Sequence, residues 1–493
     1  MQNLQKKPHI FLVILDSARK DFFGCYGSNE ELTPNIDKLA QDSIVCKNFY
    51  SGGAGTAQSH GCIFLGQHST KSGLVHNLSE ISTDITPFTG LLKNNGYDNN
   101  GYDNFGHSKI VVPPAGYEKL FSFDEMVYPI KGNKTKVVSL RKRILDYARQ
   151  FPKIWNFIRV LYRKSFGAEY LLSSTANHVD GKESLEYLLK KATESNKPGF
   201  FFTTIMHPHT PYYPPKWARD KLFGKREISQ KAFEIQTDFH SWINGNHGDC
   251  KNAIDDMRNL YKAELLYGDS LIGDFIDSLK KSNLYEDSII IITSDHGEFF
   301  GEHGNLNHGA TIFNELFRLP CIIKTPENKH IEISKLTTHV DLFPTIMDLL
   351  NIADSVEDID IDGQSILQND EERFLVIDSP PIVLPGRLSH YPKVIEKFSM
   401  FYRGIVNQKY KYIWRSDGQQ LLFDRNKKEI DENNLIDSNQ PEARELHQTM
   451  INYYKSIYEN FDIDKYPINI GSTAASMMTS PRIKKELKKL GYL

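Results

Sequence analysis

Two aspartates in this chain follow strongly apolar runs, and one of them is followed at once by a histidine. Asp295 and His296 come after four consecutive isoleucines, and Asp16 comes after the apolar stretch 9–15. Such runs are typical of strands buried on both faces, and open α/β sheets carry their chemistry at the carboxyl ends of such strands. If the two strands are neighbours, their side chains converge into ligands suited to a divalent metal. A lone aspartate there would more simply cap a helix.

The segment after His296 is rich in glycine and histidine. Residues 297–309 hold four glycines together with His303 and His308, and imidazoles bind metals or move protons near neutral pH. Another apolar run, 199–206, is followed by His207 and His209, which we expect to face the same site. A surface turn that happens to contain histidines is the plainer alternative for the loop 297–309.

A candidate nucleophile lies in the small-residue segment 50–66. Glycines at 52, 53 and 55 precede Thr56, which the pattern places at the N-terminus of a helix, where backbone N–H groups favour anions. We expect these glycines to let the backbone approach a ligand closely. Ser59 and Cys62 are rival nucleophiles, but they lie deeper in the predicted helix and are better suited to packing.

Composition limits the classes of protein to which the chain can belong. It has 493 residues, of which 40% are hydrophobic and 25% charged, as expected of a globular protein with one large domain and a smaller one. A net charge of −3 does not indicate a nucleic-acid partner. Five cysteines without regular spacing argue against a disulfide framework. No run approaches the roughly 20 apolar residues of a membrane span, and we expect a cytoplasmic location.

The chain divides into two predicted units. We expect a catalytic domain over residues 1–355 and, after an acidic linker, a C-terminal subdomain over 363–493 with an antiparallel hairpin and a helix. Within the first unit, residues 127–170 form an amphipathic insertion that is rich in arginine and lysine. Its segment 131–164 suits peripheral contact with an anionic membrane or a polyanionic substrate, or else packing on its own domain with a solvated basic face.

Together these motifs resemble the sulfatase family of the alkaline phosphatase superfamily over nearly the whole chain. The segments that carry the resemblance are ILDSARKD at 14–21, TPNID at 33–37, TAQSH at 56–60 with LG at 65–66, HPHTPY at 207–212, SDHGE at 294–298 with GEHG at 301–304, and VDLFPT at 340–345. The resemblance implies an α/β fold, with an alkaline-phosphatase-like mixed central sheet flanked by helices and a smaller C-terminal α+β subdomain.

The resemblance also implies a role for each candidate residue. One divalent metal would be held by Asp16, Asp295, His296 and the nucleophile Thr56. His60 would help to stabilise the oxygens of the reacting group. His308 stands where many sulfatases have a lysine and would be the general acid, assisted by His209. The residues expected to bind the substrate are His207 and Arg19.

Three departures from the family pattern change the expected chemistry. The family nucleophile is usually a cysteine or serine that is oxidised to formylglycine, whereas the secondary alcohol of Thr56 would give a ketone. The family's Asp-Asp pair is here Asp16-Ser17, so one carboxylate is missing. The last ligand, often asparagine, is His296. This smaller and more nitrogen-rich set favours Zn²⁺ or Mn²⁺, although Ca²⁺ or Mg²⁺ also fits.

The sequence therefore predicts a metal-dependent hydrolase or transferase that acts on a phosphoester, a diester or a monoester, through a covalent phosphothreonine. The ester can be linked to a lipid or a glycan, and no nucleic acid is expected. Two alternatives remain open: a sulfatase that works without formylglycine, and a non-catalytic binding protein on a sulfatase scaffold. The sequence does not indicate the oligomeric state.

Overall fold

The computed structural model describes residues 7–75, 85–103, 122–127, 181–309, 311–368, 373–381, 391–426, 433–458 and 461–465. Its strands are β1 (His9–Leu15), β2 (Ser43–Tyr50), β3 (Asp98–Asp103), β4 (Glu125–Val127), β5 (Gly199–Ile205), β6 (Ser288–Thr293), β7 (Phe299–Phe300), β8 (Leu306–Asn307), β9 (Arg318–Leu319), β10 (Cys321–Lys324), β11 (Ile331–Thr338), β12 (Leu375–Ser379), β13 (Tyr402–Val406), β14 (Tyr410–Arg415) and β15 (Gln420–Asp424).

The α-helices of the same residues lie mostly on the two faces of the larger sheet. They are α1 (Pro34–Ala40), α2 (Thr56–Leu65), α3 (Ser69–Ser72), α4 (Phe88–Asn94), α5 (Gly181–Glu194), α6 (Lys216–Phe223), α7 (Gln230–Thr237), α8 (Phe239–Ile243), α9 (Lys251–Lys281), α10 (Asn314–Phe317), α11 (Leu342–Leu349), α12 (Pro392–Ser399) and α13 (Gln440–Ile457). None of the described helices is long and apolar enough to cross a membrane.

The larger sheet has nine strands and is mixed. Eight of them lie in the order β11-β2-β10-β6-β1-β5-β3-β4, and β9 pairs with β2. β1 is parallel to both of its neighbours, β5 and β6, whereas β10 is antiparallel to β6 and β2. The carboxyl ends of β1, β5 and β6 therefore meet at one edge of the sheet, as the apolar runs predicted.

The central strands are buried on both faces because their side chains alternate between two apolar cores. In β1, Phe11 and Val13 pack in one core, while Leu12 and Ile14 pack in the other. The isoleucines of β6 divide between the same two cores. Burying a side chain of this size contributes about 1.5–3 kcal/mol, so this part of the sheet gives rigid support to whatever follows its strands.

The C-terminal region forms a separate sheet in the order β12-β13-β14-β15, antiparallel throughout. α13 covers one face through residues that include Met450 and Tyr454. The other face packs through residues that include Leu375 and Ile377 against Tyr50, at the end of β2. This smaller sheet thereby supports the segment that leads from β2 to α2.

The structure confirms the mixed sheet and the hairpin formed by β14 and β15. The long helix α9 begins at Lys251, and Ala253, Asp256 and Met257 near its start are already buried. The insertion 127–170 and the segment 131–164 lie outside the described residues except for Val127, so contact with a membrane remains a prediction. The domain boundaries near 355 and 363 likewise remain predictions.

Candidate active site

Asp16 and Asp295 lie side by side because β1 and β6 are parallel neighbours in register. Ile14 pairs with Thr293, so each aspartate follows the end of its strand by one or two residues. The backbone N–H of Asp16 also donates to the carbonyl of Ile205 on β5, at 3.0 Å. Three adjacent strand ends therefore fix the position of this pair, and both side chains are fully buried.

Each carboxylate is held by one oxygen, and the other oxygen has no partner among the described residues. Asp16 Oδ1 accepts from Ser17 Oγ at 2.8 Å. Asp295 Oδ1 accepts from the backbone N–H groups of Ser17, at 3.2 Å, and His296, at 2.9 Å. The second oxygens, Asp16 Oδ2 and Asp295 Oδ2, are buried and have no hydrogen-bond partner in the described part of the chain.

His296 completes this arrangement with one ring nitrogen. Its Nδ1 lies 2.9 Å from the carbonyl of Gly297, so Nδ1 carries the proton and Nε2 offers a lone pair. Nε2 is buried without a partner among the described residues, 3.7 Å from Asp295 Oδ2 and 3.9 Å from Asp16 Oδ1. One ligand atom from each of the three residues lies within 4.8 Å of the others.

The electrostatics of the three residues also favour a cation. Burial and the neighbouring charge of Asp295 raise the pKa of Asp16 well above its usual value. Burial opposes ionisation of Asp295 too, but His296, His60 and two backbone N–H groups lower its pKa on balance. Burial lowers the pKa of His296, which keeps the ring neutral. Buried oxygens without partners, beside a neutral imidazole, fit a divalent metal ion.

Thr56 is the first residue of α2 and is partly exposed, whereas the rest of the helix is buried. The start of this helix is attached to the predicted metal ligands through two serines. The hydroxyls of Ser51 and Ser59 both donate to the carbonyl of Asp295 at 2.7 Å. Thr56 is thus at a helix N-terminus held against the strand end that carries Asp295, as the sequence predicted for a nucleophile.

The rival nucleophiles are placed differently. Ser59 is fully buried, with its proton engaged by the Asp295 carbonyl. Cys62 is also fully buried, and burial raises the pKa of its thiol.

The glycines before Thr56 were expected to let a ligand approach, and for two of them the structure gives a further reason for glycine. A Cβ at position 52 would lie 2.5 Å from Cys62 Sγ, and one at position 53 would lie 2.3 Å from Gln58 Cβ. Gly52 and Gly53 are therefore required because the loop packs tightly on its own helix.

His60 lies on the buried side of α2, where burial lowers its pKa to about 4 and keeps it neutral. Its Nε2 is 3.5 Å from Thr204 Oγ1 on β5. The charges of His60 and Asp295 influence each other's pKa, so the ring lies close to the predicted metal ligands.

His308 and His209 form the second side of the site. The His308 ring is centred 4.4 Å from His296 and 4.9 Å from His209. His308 Nδ1 lies 3.3 Å from Glu298 Oε1, and His209 Nδ1 contacts the carbonyl of Thr210. Burial opposes protonation of His308, but the Glu298 carboxylate outweighs it and raises the pKa of the ring. His308 is thereby suited to donate a proton near neutral pH.

Arg19 was expected to bind the substrate, but its guanidinium is engaged by other groups of the protein. Its guanidinium is 2% exposed and donates to both carboxylate oxygens of Asp21, to Glu302 Oε1 and to the carbonyl of Glu298. Four of its five N–H groups are therefore used within the protein. This placement corrects the expectation of a substrate ligand, because Arg19 instead fixes the backbone of the loop 298–302.

Two glutamates that the sequence did not single out as functional hold the histidines in place. Glu298 contacts His308 and accepts from the Tyr212 hydroxyl at 3.0 Å. Glu264, in the middle of α9, lies 2.6 Å from His207 Nδ1 through Oε2. An acidic residue among the apolar residues of the buried face of α9 was a weak signal for Glu264, because Asp256 and Asp269 are buried on the same helix. Its partner is 57 residues away and could not be identified from the sequence.

Comparison with known proteins agrees with this architecture. A family model described as Sulfatase matches residues 8–352. The uncharacterized sulfatase YidJ of Escherichia coli (strain K12) is 23% identical over 480 residues, which cover 92% of this chain and 89% of that protein.

Two solved structures show the same fold. Phosphonate monoester hydrolase of Agrobacterium radiobacter superimposes with a TM-score of 0.64 at 17% identity, covering 92% of this chain and 95% of that one. A structure determined in complex with its substrate D-glucosamine-2-N,6-O-disulfate gives a TM-score of 0.68 at 18% identity, covering 93% of this chain and 100% of that one. The predicted fold class is confirmed.

Proposed function

The chain belongs to the sulfatase family, and we propose that it cleaves a phosphate ester through a covalent phosphothreonine on Thr56. It is an enzyme of the sulfatase-like hydrolase type. The observation that carries the proposal is the identity of residue 56, a threonine at the exposed N-terminus of an otherwise buried helix. A secondary alcohol cannot become the aldehyde on which formylglycine chemistry depends, but it can attack phosphorus directly.

Asp16, Asp295, His296 and Thr56 would hold one divalent cation, with Zn²⁺ or Mn²⁺ better matched than Ca²⁺ or Mg²⁺ to two carboxylates and an imidazole. When bound, the cation lowers the pKa of the Thr56 hydroxyl and places a positive charge beside the ester oxygens. The unpartnered atoms Asp16 Oδ2, Asp295 Oδ2 and His296 Nε2 support this assignment.

The residues of the chain then perform an in-line substitution at phosphorus. Thr56 Oγ attacks in its deprotonated form, to which it returns when it is released, and it forms a bond to phosphorus while the bond from phosphorus to the leaving alcohol breaks. Since Glu298 engages Nδ1 of His308, Nε2 of the protonated ring is left to give its proton to the departing oxygen. The N-terminus of α2 and the ring N–H of His60 face the negative oxygens of the phosphoryl group.

The second half of the reaction releases the threonine. Water, or an acceptor alcohol, attacks phosphorus and gives its proton to His308, which is now neutral, and the bond between Thr56 Oγ and phosphorus breaks. The same residues serve both acceptors, so hydrolysis and transfer are alternatives at this step.

A second candidate is hydrolysis of a sulfate ester without formylglycine. It is favoured by one observation, that a structure of the same fold was solved with the substrate D-glucosamine-2-N,6-O-disulfate. The phosphonate monoester hydrolase with the same fold indicates that this scaffold also serves phosphorus chemistry.

One experiment separates the candidates. We expect the purified protein to contain a divalent metal, and to turn over p-nitrophenyl phosphate or bis-p-nitrophenyl phosphate faster than p-nitrophenyl sulfate. Acid-quenched samples should carry one added phosphoryl group on the peptide that contains Thr56, detected by mass spectrometry. A strong preference for the sulfate would overturn the proposal, and full turnover by Thr56→Ala would refute the mechanism.

A further inference from the structure

His207 lies at the same edge of the sheet as the predicted metal ligands but is not one of the three residues that converge there. It follows β5 by two residues, and β5 is held to Asp16 through the carbonyl of Ile205. The residue is 9% exposed, and its ring packs edge-on against Tyr267, with centroids 4.8 Å apart. The ring is therefore confined in one orientation.

Glu264 holds both ends of the loop that begins with His207. Its side chain is buried on α9, and Oε2 lies 2.6 Å from His207 Nδ1. Oε1 accepts from the backbone N–H of Tyr213, also at 2.6 Å. The segment between these two contacts includes His209, so a single carboxylate fixes the loop that carries both histidines.

This contact determines the tautomer of His207. An ionised carboxylate can only accept, so in a neutral ring Nδ1 of His207 is the donor and Nε2 has the lone pair. Nε2 is buried and has no hydrogen-bond partner in the part of the chain that the structure describes. Buried acceptors are normally satisfied, so this one points to a partner beyond the described residues.

We propose that Glu264 is a positioning residue that presents His207 Nε2 as an acceptor for a hydroxyl group of the substrate. An anionic ester oxygen has no proton to donate to a lone pair, whereas a free hydroxyl does. The inference rests on the proposed function and narrows it to esters of polyols, such as glycerol or a sugar. His207 thereby selects the alcohol part of the substrate rather than the phosphoryl group.

The substitution Glu264→Gln tests whether Glu264 determines which nitrogen of His207 carries the proton. When the glutamine oxygen accepts from Tyr213, its NH₂ group faces His207, whose Nδ1 must then become the acceptor. The proton moves to Nε2, and the substrate hydroxyl loses its acceptor. Gln236→Ala is the matched control, because Gln236 Oε1 accepts from the neighbouring N–H of Tyr212 at 2.6 Å and contacts no histidine ring in the described residues.

The first readout is the ¹⁵N spectrum of histidine-labelled full-length protein, with His207→Gln used to assign the signals. We expect a protonated Nδ1 in the wild type and a protonated Nε2 in Glu264→Gln. Addition of glycerol 1-phosphate should shift the Nε2 signal of the wild type, and propyl phosphate, which lacks free hydroxyls, should not. Equal shifts with both ligands, or an unprotonated Nδ1 in the wild type, would overturn the inference even if Glu264→Gln fails to fold.

The second readout is kinetic and uses two diesters, p-nitrophenyl glycerol phosphate and p-nitrophenyl propyl phosphate. Loss of one hydrogen bond to a neutral partner corresponds to about a ten-fold change. We expect Glu264→Gln to raise KM by that factor for the glycerol diester alone, and Gln236→Ala to affect both diesters alike. If Glu264→Gln raised KM equally for both diesters, Glu264 would only hold the loop in place and would not present His207 to a hydroxyl group. Absence of phosphoester turnover would refute the proposed function, and the NMR comparison would still decide the tautomer and the hydroxyl contact.

Discussion

The two sides of the site are built in opposite ways. On the strand-end side, Asp16, Asp295 and His296 are fixed by nearby groups, mainly backbone, and each leaves one atom without a partner among the described residues. On the loop side, His207 and His308 are each paired with a buried glutamate, which for His207 lies on α9 and for His308 lies in the same loop. The first side is prepared for a cation, and the second side for protons and hydroxyl groups.

This difference follows from how each side is supported. The strand ends are placed by the register of β6, β1 and β5, so no further side chain is needed to bring the carboxylates together. The loops have no such register, and glutamates must set the orientation and the proton position of each imidazole. We therefore expect substitutions on the strand-end side to abolish chemistry, and substitutions on the loop side to change its pH dependence and its selectivity.

The largest effect should come from Thr56, which is held at the strand-end side. Thr56→Ala removes the nucleophile, and we expect turnover of bis-p-nitrophenyl phosphate to fall by about 10³-fold or more. Thr56→Ser is the matched control, since it keeps a hydroxyl at the same place and should retain a covalent phosphoryl-enzyme. Loss of that intermediate in both variants, with activity intact, would show that the reaction does not pass through residue 56.

The next effect should come from Asp295→Asn. The amide keeps an oxygen for the N–H groups of Ser17 and His296 but supplies no negative charge, so we expect loss of bound metal and about a 10²–10³-fold fall in turnover. Metal content by atomic emission and turnover of bis-p-nitrophenyl phosphate check the two parts. An unchanged metal content would contradict the ligand assignment.

A moderate effect is expected from Glu298→Gln on the loop side. The Glu298 carboxylate raises the pKa of His308, so an acid role for His308 predicts that turnover falls as pH rises through that raised pKa. Removing the carboxylate should move this alkaline limb to lower pH, with about a 10–10²-fold loss at neutral pH. Glu302→Gln is the control on the same loop, because Glu302 pairs with Arg19. If the alkaline limb of the pH profile moved equally in Glu298→Gln and Glu302→Gln, His308 would be excluded as the acid.

The smallest effect should come from Ser17→Asp, which restores the acidic pair typical of the family. Ser17 has a φ of 64°, a region that aspartate tolerates better than most residues, so the backbone can accept the change. A third carboxylate should shift the preference from Zn²⁺ towards Ca²⁺ or Mg²⁺ by about ten-fold in relative affinity. Calorimetric titration of metal-free protein measures this ratio. An unchanged ratio would mean that residue 17 does not influence the choice of metal.

The strand-end side could be predicted from the sequence, whereas on the loop side the histidines could be predicted but the glutamates that hold them could not. Apolar runs ending in Asp16 and Asp295 identify buried strands, and sheet topology brings their ends together. By contrast, the contacts of Glu264 with His207 and of Glu298 with Tyr212 depend on how distant segments pack. Arg19 was misjudged for the same reason, since its partner Glu302 lies far along the chain. Gly52 and Gly53 were correctly noticed, but their neighbours Cys62 and Gln58 could only be seen in three dimensions.

The two serines that donate to the carbonyl of Asp295 have a consequence for how this fold can change its chemistry over evolution. Ser51 and Ser59 fix the start of α2, and no hydrogen bond of the Thr56 side chain is found in the described residues. Residue 56 can therefore be exchanged among cysteine, serine and threonine while the helix stays in place. One codon could in this way redirect a lineage between sulfur and phosphorus esters, with the rest of the scaffold inherited unchanged.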